Sequence, residues 1–234
     1  MLTRTPVQRR TTSDTTMEAP MTTAIIGIGN IGSRVARNLV EGGERVILTS
    51  HDRSATDSMA EELGELASSA TTEDAVEQAD AVVLAVSLDA EKDLVSALAG
   101  KLEDKVVIDP SNPIAPDSQG GFTNALPERQ TAAQIVSGLL PAGARYVKAF
   151  GTLSADDLGS ASRRSGDRVA LFYATDDDAA ARTVERLIAA AGFDPVRAGG
   201  LDAAGRLEML RGDLHQHGGL DGKLLSADEA RAAV

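Results

Sequence analysis

Three closely spaced glycines are the feature of this chain that points most directly to chemistry. They lie in the stretch Gly27-Ile28-Gly29-Asn30-Ile31-Gly32. In a dinucleotide-binding turn, the first glycine permits a tight bend and the second lets a pyrophosphate approach the backbone. The third lets the following helix pack closely on the preceding strand. The phosphates would then lie at the N-terminus of that helix, where backbone N–H groups point outward.

The sequence on either side of the glycines supplies the elements that such a turn requires. Residues 22–26 form an apolar run that predicts a strand, and residues 33–41 alternate with helical spacing. An ordinary strand-helix turn is the alternative for a glycine pattern of this kind. The presence of both flanking elements favours a nucleotide site.

The rest of the chain continues this alternation of strand and helix. Short apolar runs predict further strands at 44–50, 81–86, 105–109, 146–150 and 169–175, with an edge strand at 194–197. Helical patterns lie at 55–66, 90–98 and 179–191. Continuous apolar runs are typical of strands buried on both faces of a parallel sheet. We therefore predict an α/β fold, a Rossmann-type doubly wound and mostly parallel sheet with a small α/β C-terminal portion.

The chain divides into three segments at the level of its sequence. Residues 1–21 are rich in Thr and Arg and lack periodicity, which predicts a disordered N-terminal extension. Residues 22–145 hold the glycine turn and the first run of strands, and we predict a nucleotide-binding domain there. Residues 146–234 form the C-terminal α/β portion.

Composition excludes several classes of function. The 23 Lys and Arg against 35 Asp and Glu give a net charge of −12, which disfavours nucleic acid and anionic membranes as partners. Cysteine is absent, so there is no thiolate nucleophile or cysteine metal site. No apolar run approaches the roughly 20 residues that span a bilayer. We expect a cytoplasmic protein with small-molecule partners, and a homodimer is left open.

The end of the second predicted strand bears on which nucleotide is bound. It is followed by Ser50, His51, Asp52 and Arg53. A carboxylate about 20 residues after the glycines usually holds the ribose hydroxyls of NAD. Ser50, His51 and Arg53 can instead receive a 2′-phosphate, which favours NADP. Asp52 is the alternative, because a shift of two positions would place its carboxylate on the ribose.

Candidates for catalytic or metal-binding side chains are scarce in the sequence. There is no nucleophile elbow and no Ser/His/Asp constellation. His215 and His217 form a His-x-His pair, which could suggest a metal site, but no third ligand is evident. We therefore predict neither a catalytic side chain nor a metal.

The chain resembles the F420-dependent NADP oxidoreductases, also called NADPH-dependent F420 reductases. The resemblance covers nearly everything after residue 21. It is carried by the glycine turn, Val86-Ser87, Asp109-Pro110-Ser111-Asn112-Pro113, Val147-Lys148-Ala149-Phe150 and the segment 192–199.

This resemblance implies hydride transfer between NADP(H) and the deazaflavin of coenzyme F420 in a cleft at the carboxyl ends of the strands. The cofactors would carry the reactivity, and the protein would position them. Residues 146–234 would complete the second-cofactor cleft. The residues implied are Gly29, Asn30 and Ile31 for the pyrophosphate, Ser50 and His51 for the 2′-phosphate, Val86, Ser87 and Asn112 for the nicotinamide half, and Phe150, Gly151, Gly218 and Gly219 for the deazaflavin.

Three positions depart from the family pattern. Members of the family often have Ser-Arg at Ser50-His51, Asn or His at Gly151, and Pro at Ser154. We expect Gly151 and Ser154 to face the second cofactor. Two other functions stay open: an NADPH-dependent reductase of a flavin or of a small carbonyl or imine, and an NADP(H)-binding sensor without turnover.

Overall fold

A computed structural model describes residues 21–234 of the chain. The predicted N-terminal extension lies outside these residues, apart from Met21, which directly precedes the first strand.

Strands and helices alternate through most of the described chain. The strands are β1 (Thr22–Ile26), β2 (Arg45–Thr49), β3 (Ala67–Ser69), β4 (Ala81–Leu84), β5 (Val106–Asp109), β6 (Ile114–Pro116), β7 (Phe122–Asn124), β8 (Arg145–Lys148), β9 (Ala170–Ala174) and β10 (Asp194–Gly199). The helices are α1 (Asn30–Glu41), α2 (Arg53–Leu63), α3 (Thr72–Gln78), α4 (Leu88–Leu102), α5 (Ala132–Leu139), α6 (Ala155–Ser160), α7 (Asp178–Ala190) and α8 (Ala227–Ala233), with a 3-10 helix at Leu201–Leu207.

Eight of these strands form one sheet in the order β10-β9-β8-β5-β4-β1-β2-β3. The strands from β8 to β3 are parallel to their neighbours, whereas β9 pairs antiparallel with β8 and β10 lies parallel to β9. This arrangement confirms the predicted Rossmann-type, mostly parallel sheet. The strand order reverses direction between β1 and β4, and ligands bind such sheets at the carboxyl ends of the strands beside that point.

The sheet is buried on both faces, as its continuous apolar strands predict. Successive side chains of β1 point to opposite faces, so that Ile25 packs in one core while Ala24 and Ile26 pack in the other. Helices α1, α2, α6 and α7 contribute to the first core, and α3, α4 and α5 contribute to the second. The helices packed on the two faces of the sheet hold the carboxyl ends of its strands in place.

Several short elements were not predicted from the sequence: β3, α3, the β6–β7 hairpin, α5, α6 and α8. They are three to eight residues long, and their patterns are too short to show a period. The predicted boundary between residues 145 and 146 falls inside β8, and the division into segments remains a prediction. Within residues 21–234, none of the helices combines the length and apolarity that a bilayer crossing requires.

Candidate functional site

The glycine turn has three different environments at its three glycines. Gly27 has a φ of +95°, and a Cβ added there would lie 2.4 Å from the Ala85 carbonyl oxygen. A Cβ on Gly32 would lie 1.9 Å from the Gly27 carbonyl oxygen. Gly29 differs, because a Cβ there would meet nothing within 4 Å. The first and third glycines therefore serve the packing of the protein itself, whereas the space at Gly29 is left open for a ligand.

The N-terminus of α1 is also open. Of the eight α-helices within residues 21–234, α1 alone has no side-chain cap and begins after a glycine, Gly29. Its first turn contains no acidic residue. The first N–H groups of a helix need partners, and the helix dipole favours an anion there. A pyrophosphate would meet both needs, and the residues present fit a dinucleotide.

The residues expected at the 2′-phosphate lie where β2 ends and α2 begins. The Gly27 N–H donates to the Thr49 carbonyl at 2.8 Å, which ties this strand end to the glycine turn. Arg53 is exposed and pairs with Asp57 at 2.9 Å. The Asp52 carboxylate accepts a hydrogen bond from the Ala55 N–H at 3.0 Å and caps α2. Asp52 therefore has a structural role at the start of α2.

At the same strand end, the Ser50 side chain forms hydrogen bonds within the protein, whereas the His51 side chain does not contribute to them. The Ser50 hydroxyl donates to the Asp52 carbonyl at 3.0 Å and lies 2.8 Å from the Thr56 hydroxyl. His51 is exposed to solvent. Neither side chain lines the cavity described next, whose lining includes Asn30 and Ile31.

A cavity of about 740 Å³ lies at the carboxyl ends of β1, β4 and β5. Its volume is within the usual range for small-molecule sites. Asn30 and Ile31 of the first turn of α1 form one end, and the β6–β7 hairpin contributes Ile114 and Phe122. Phe122 is 52% exposed although it is a large aromatic side chain. The remaining lining residues are Ala85, Val86, Ser87, Leu88, Asp89, Lys92, Pro110, Ser111, Asn112, Pro113, Ala125, Leu126, Leu153, Ser154, Ala155, Met209, His215 and His217.

Charge in the cavity is confined to one side. Of the described residues that line it, Asp89 and Lys92 are the only Asp, Glu, Lys or Arg, and they pair with each other at 2.6 Å. The other walls are apolar or carry neutral polar groups. The cavity therefore suits a largely uncharged ring rather than a compact ion.

Val86, Ser87 and Asn112, which the resemblance implies for the nicotinamide half, line the cavity. Ser87 also caps α4 by accepting from the Ala90 N–H at 3.4 Å. The Asn112 amide connects two segments, since its nitrogen donates to the Gly151 carbonyl at 3.0 Å and its oxygen accepts from the Met209 N–H at 2.7 Å. Asn112 thus holds the wall of the cavity together.

Two residues expected at the second cofactor do not line the cavity. The Phe150 side chain is fully buried in the core. Gly151 is buried, and a Cβ there would lie 2.4 Å from the Pro110 carbonyl oxygen. The structure gives both positions a packing role, and their place beside a second cofactor stays a prediction. The departure at Gly151 reflects close contact between two backbone segments, and an Asn there would clash.

The structure also gives Gly218 and Gly219 a packing role, and their predicted place beside the second cofactor is not tested by it. Their missing side chains let this loop pack on itself, because added Cβ atoms would lie 2.2 Å from the Gly212 carbonyl oxygen and 2.7 Å from the Asp213 Cα, respectively. Two other residues of the loop, His215 and His217, line the cavity instead.

The hydrogen bonds of His215 fix it as a neutral structural side chain. Its Nδ1 accepts from the His217 N–H at 2.9 Å, so its Nε2–H donates to the Gly151 carbonyl, also at 2.9 Å. Burial lowers the pKa of His215 to about 4. Both ring nitrogens are engaged, so His215 is poorly suited to bind a metal. No cluster of three or more potential metal ligands occurs within the described residues.

Ser154, the third departure, lines the cavity and caps α6 by accepting from the Asp157 N–H at 3.1 Å. A proline there would remove that cap, which indicates a local structural role.

A buried polar cluster beside the cavity was missed by the sequence analysis. Asp109 and Lys148 are register partners at the ends of β5 and β8. The Lys148 ammonium is 2% exposed and lies 2.9 Å from the Asp109 carboxylate, which also accepts from the Tyr146 hydroxyl at 2.5 Å. The signal in the sequence was a charged residue ending each of two apolar strands. That signal indicates an ion pair only if the two strands are neighbours in the sheet.

Two glutamates extend this cluster. Glu91 of α4 is fully buried, and neither of its carboxyl oxygens has a hydrogen-bond partner within residues 21–234. Burial, followed by the negative charge of Asp109, raises the pKa of Glu91 to about 9, so its carboxyl is protonated at neutral pH. Glu208 accepts from the Ala133 N–H at 3.2 Å, and burial raises its pKa as well.

Comparison with known proteins identifies the family of the chain. A hypothetical protein from Sinorhizobium meliloti has a similar structure, with a TM-score of 0.76 and 30% identity over 89% of this chain and 96% of the other. Residues 22–113 match the family model described as NADP oxidoreductase, coenzyme F420-dependent. The chain belongs to this family. The match spans the glycine turn, the strand end after β2 and the cavity wall at Asn112.

Other solved structures share the fold of this F420-dependent NADP oxidoreductase family member. A protein from Arthrobacter sp. FB24, provisionally assigned as an F420-dependent NADP reductase, has a TM-score of 0.67 and 24% identity over 79% of this chain and 87% of the other. An imine reductase from Pseudomonas sp. has a TM-score of 0.58 and 17% identity over 78% of this chain and 56% of the other. The comparison with curated protein sequences finds no match.

Proposed function

We propose that this protein transfers a hydride between NADP(H) and coenzyme F420. The observation that carries the proposal is the position of the cavity, which begins at the open N-terminus of α1 and ends at the β6–β7 hairpin. One cavity can thus hold a nicotinamide and a second ring side by side. NADP(H) supplies or accepts the hydride when it is bound, and the protein's contribution is to position the two rings and exclude water.

The nucleotide end of the site follows from the residues around α1. The N–H groups of the first turn, at Asn30 and Ile31, would bind the pyrophosphate in the open space at Gly29. Ser50, His51 and Arg53 would receive the 2′-phosphate. Val86 and Ser87 would border the nicotinamide, since they follow β4 directly beside the glycine turn.

The acceptor end of the site favours a planar ring. Phe122 lines the cavity while half of its surface is exposed, so its face is available for stacking. Ile114 on the paired strand and Leu126 after the hairpin add apolar walls. A deazaflavin ring has the flat, extended shape that such walls accommodate.

A compact neutral acceptor, such as a cyclic imine or a small carbonyl compound, is the second candidate. The specific observation in its favour is the paired state of Asp89 and Lys92, the charged side chains of the lining. An acceptor without charge would leave this pair undisturbed.

Steady-state oxidation of NADPH by the purified protein tests the proposal with four samples: coenzyme F420, a free flavin, a cyclic imine and no acceptor. We expect the largest rate with F420. A larger rate with the imine would support the second candidate. NADPH binding without turnover of any acceptor would contradict both and favour a sensor.

A pair of variants tests the acceptor wall itself. We expect Phe122→Ala to raise the KM for the acceptor about tenfold, which corresponds to about 1.4 kcal/mol, and to leave the Kd for NADPH unchanged. Leu139→Ala is the matched control, because Leu139 is 42% exposed and does not line the cavity. An unchanged KM in Phe122→Ala would contradict a stacking role for the hairpin.

A further inference from the structure

The β6–β7 hairpin is a largely exposed wall of the cavity. It belongs to residues 113–127, a segment that we call the hairpin arm. Both strands are three residues long, and residues 116–123 are all exposed. Ile114 and Phe122 line the cavity, but neither packs in a core of the sheet. Because a short two-stranded hairpin is only marginally stable in water, contacts with the rest of the protein must hold the arm in place.

Arg211, on the loop that follows the 3-10 helix, provides such contacts. Its Nη1 donates to the Pro127 carbonyl and its Nη2 donates to the Leu126 carbonyl, each at 3.0 Å. Within residues 21–234, these are the hydrogen bonds that join the arm to a part of the chain distant in sequence. The other hydrogen bonds of the arm lie within it or involve residues directly beside it, such as the bond from the Ile114 N–H to the Asn112 carbonyl at 2.9 Å. The hydrogen bonding between the arm and the body of the protein therefore depends on one guanidinium.

The backbone directly before Arg211 is strained. Leu210 has a φ of +73°, which is unfavourable for a residue with a branched side chain. Its side chain is 40% exposed, so burial does not compensate for the strain. On the other side of Leu210, the Met209 N–H donates to the Asn112 Oδ1 at 2.7 Å. Two contacts with the cavity wall thus flank the strained residue, and strain of this kind persists where the surrounding contacts fix the backbone.

We propose that Arg211 is a positioning residue that fixes the hairpin arm against the cavity and thereby holds Phe122 at the face of the acceptor. The inference rests on the proposed hydride transfer for the identity of the acceptor, and it adds the residue that positions the acceptor wall. Strand β7 leads from Phe122 directly to Leu126, so a shift of the Leu126 carbonyl moves the Phe122 ring. Hydrogen bonds to exposed carbonyls are individually weak, so the loss of Arg211 loosens the arm without unfolding the sheet.

A general structural role for Arg211 makes different predictions. An arginine that only stabilises the fold would lower the midpoint of urea unfolding when it is removed, and NADPH binding would weaken together with acceptor binding. Arg211→Lys separates hydrogen bonding from charge, because an ammonium keeps the charge without the planar pair of donors that reaches both carbonyls. Arg164→Ala is the matched control, since Arg164 is exposed, donates to the Asp167 carbonyl at 2.9 Å and does not line the cavity.

Hydrogen exchange of the free protein, measured by mass spectrometry, tests the position of the arm whatever the acceptor is. The amides to follow are those bonded within the arm, such as the Ala125 N–H on the Pro113 carbonyl at 2.7 Å. In Arg211→Ala we expect these amides to exchange at least about tenfold faster, because an arm that leaves the body frays. Exchange in α1 and the urea midpoint should stay unchanged. Arg211→Lys should show a smaller increase, and Arg164→Ala should match the wild type.

Calorimetric titration with oxidised F420 and with NADPH tests the effect on the acceptor. In Arg211→Ala we expect the Kd for F420 and the KM for F420 to rise about tenfold, with an unchanged Kd for NADPH. Unchanged exchange in the arm, an unchanged Kd for F420, or an equal loss of NADPH binding would each overturn the positioning role and leave hydride transfer in place. Absence of F420 binding to the wild type would instead contradict the proposed function, and the exchange experiment would still decide whether Arg211 holds the arm.

Discussion

Polar groups lie at the carboxyl end of β1 and at the carboxyl ends of β5 and β8, and they find their partners in opposite ways. After β1, the helix N-terminus at Gly29 is uncapped and faces open space. After β5 and β8, Asp109 and Lys148 are buried and meet each other's charge within the protein. We call the carboxyl end of β1 the open end, because a ligand would provide the partners of its polar groups. The carboxyl ends of β5 and β8 are the closed end, because their polar groups find partners within the protein.

The energetic scale of each arrangement supports this distinction. A capping side chain is worth about 1 kcal/mol to a helix, and the other seven α-helices of the described chain all have one. Helix α1 forgoes that small contribution and keeps its N–H groups accessible. A buried ion pair is different, because removal of one partner leaves an uncompensated charge at a cost of roughly 3–5 kcal/mol.

The largest effect is expected from breaking the closed end. Asp109→Asn should lower the free energy of unfolding by about 3–5 kcal/mol, because the ammonium of Lys148 loses its counter-charge in a buried place. Urea denaturation measures the change. Glu62→Gln is the control, since Glu62 pairs with Arg37 on the surface and should cost less than about 1 kcal/mol. Equal losses in the two variants would contradict the account of the cluster.

Filling the open end should remove binding and preserve the fold. We expect Gly29→Val to weaken NADPH binding at least about 100-fold, or about 2.7 kcal/mol, because its side chain would occupy the space of the pyrophosphate. Fluorescence titration and circular dichroism measure the two properties. Gly100→Ala, on an exposed part of α4 with nothing within 4 Å, should bind normally and stabilise the protein by roughly 0.5–1 kcal/mol. Binding retained in Gly29→Val would rule out the assignment of the turn.

The pH dependence of stability sharpens the comparison further. Burial raises the pKa of Glu91 to about 9 in the folded state, whereas a glutamate in the unfolded chain has its ordinary pKa of 4.5. The contribution of Glu91 is therefore fully present below pH 4.5 and is lost as pH rises toward 9, by up to about 1.4 kcal/mol per pH unit. Glu91→Gln should lack this slope, so its stability relative to the wild type should increase from pH 6 to pH 8. Parallel curves for the two proteins in that interval would show that Glu91 is ionised when folded.

Nucleotide selectivity should show the smallest effect. The wild type should bind NADP(H) at least tenfold tighter than NAD(H), which is about 1.4 kcal/mol, and Arg53→Ala should lose part of that preference. Arg53 is exposed, and its pairing with Asp57 limits its contribution. Arg37→Ala, another exposed and paired arginine on the surface, should leave selectivity unchanged. A preference for NAD(H) that survives in Arg53→Ala would mean that Asp52 binds the ribose.

The sequence predicted the open end well because its signal is local. The glycine spacing, the preceding apolar run and the helical pattern all lie within about 20 residues, and the structure has the predicted strand, turn and helix there. Val86, Ser87 and Asn112 were expected near the nicotinamide through the family resemblance alone, and the structure places them in the lining of the cavity.

The closed end could not be predicted because it depends on contacts distant in the chain. The pairing of Asp109 with Lys148 requires β5 and β8 to be neighbours, and nothing in either strand alone specifies that order. Glu91 has the sequence context of an ordinary helix residue, and its burial appears only when α4 packs on the sheet. The packing role of Gly151 could not be predicted for the same reason, since its close approach to Pro110 joins two separate loops.

The most direct test of the account is isotope transfer from NADPH to coenzyme F420. The protein would be incubated with NADPH carrying deuterium at the nicotinamide C4 and with oxidised F420, and the product would be analysed by mass spectrometry. We expect one deuterium in the reduced F420 from one face of the nicotinamide, with a rate strongly reduced in Phe122→Ala and abolished in Gly29→Val. Unlabelled F420, recovered unreduced while NADPH binds with normal affinity, would contradict it.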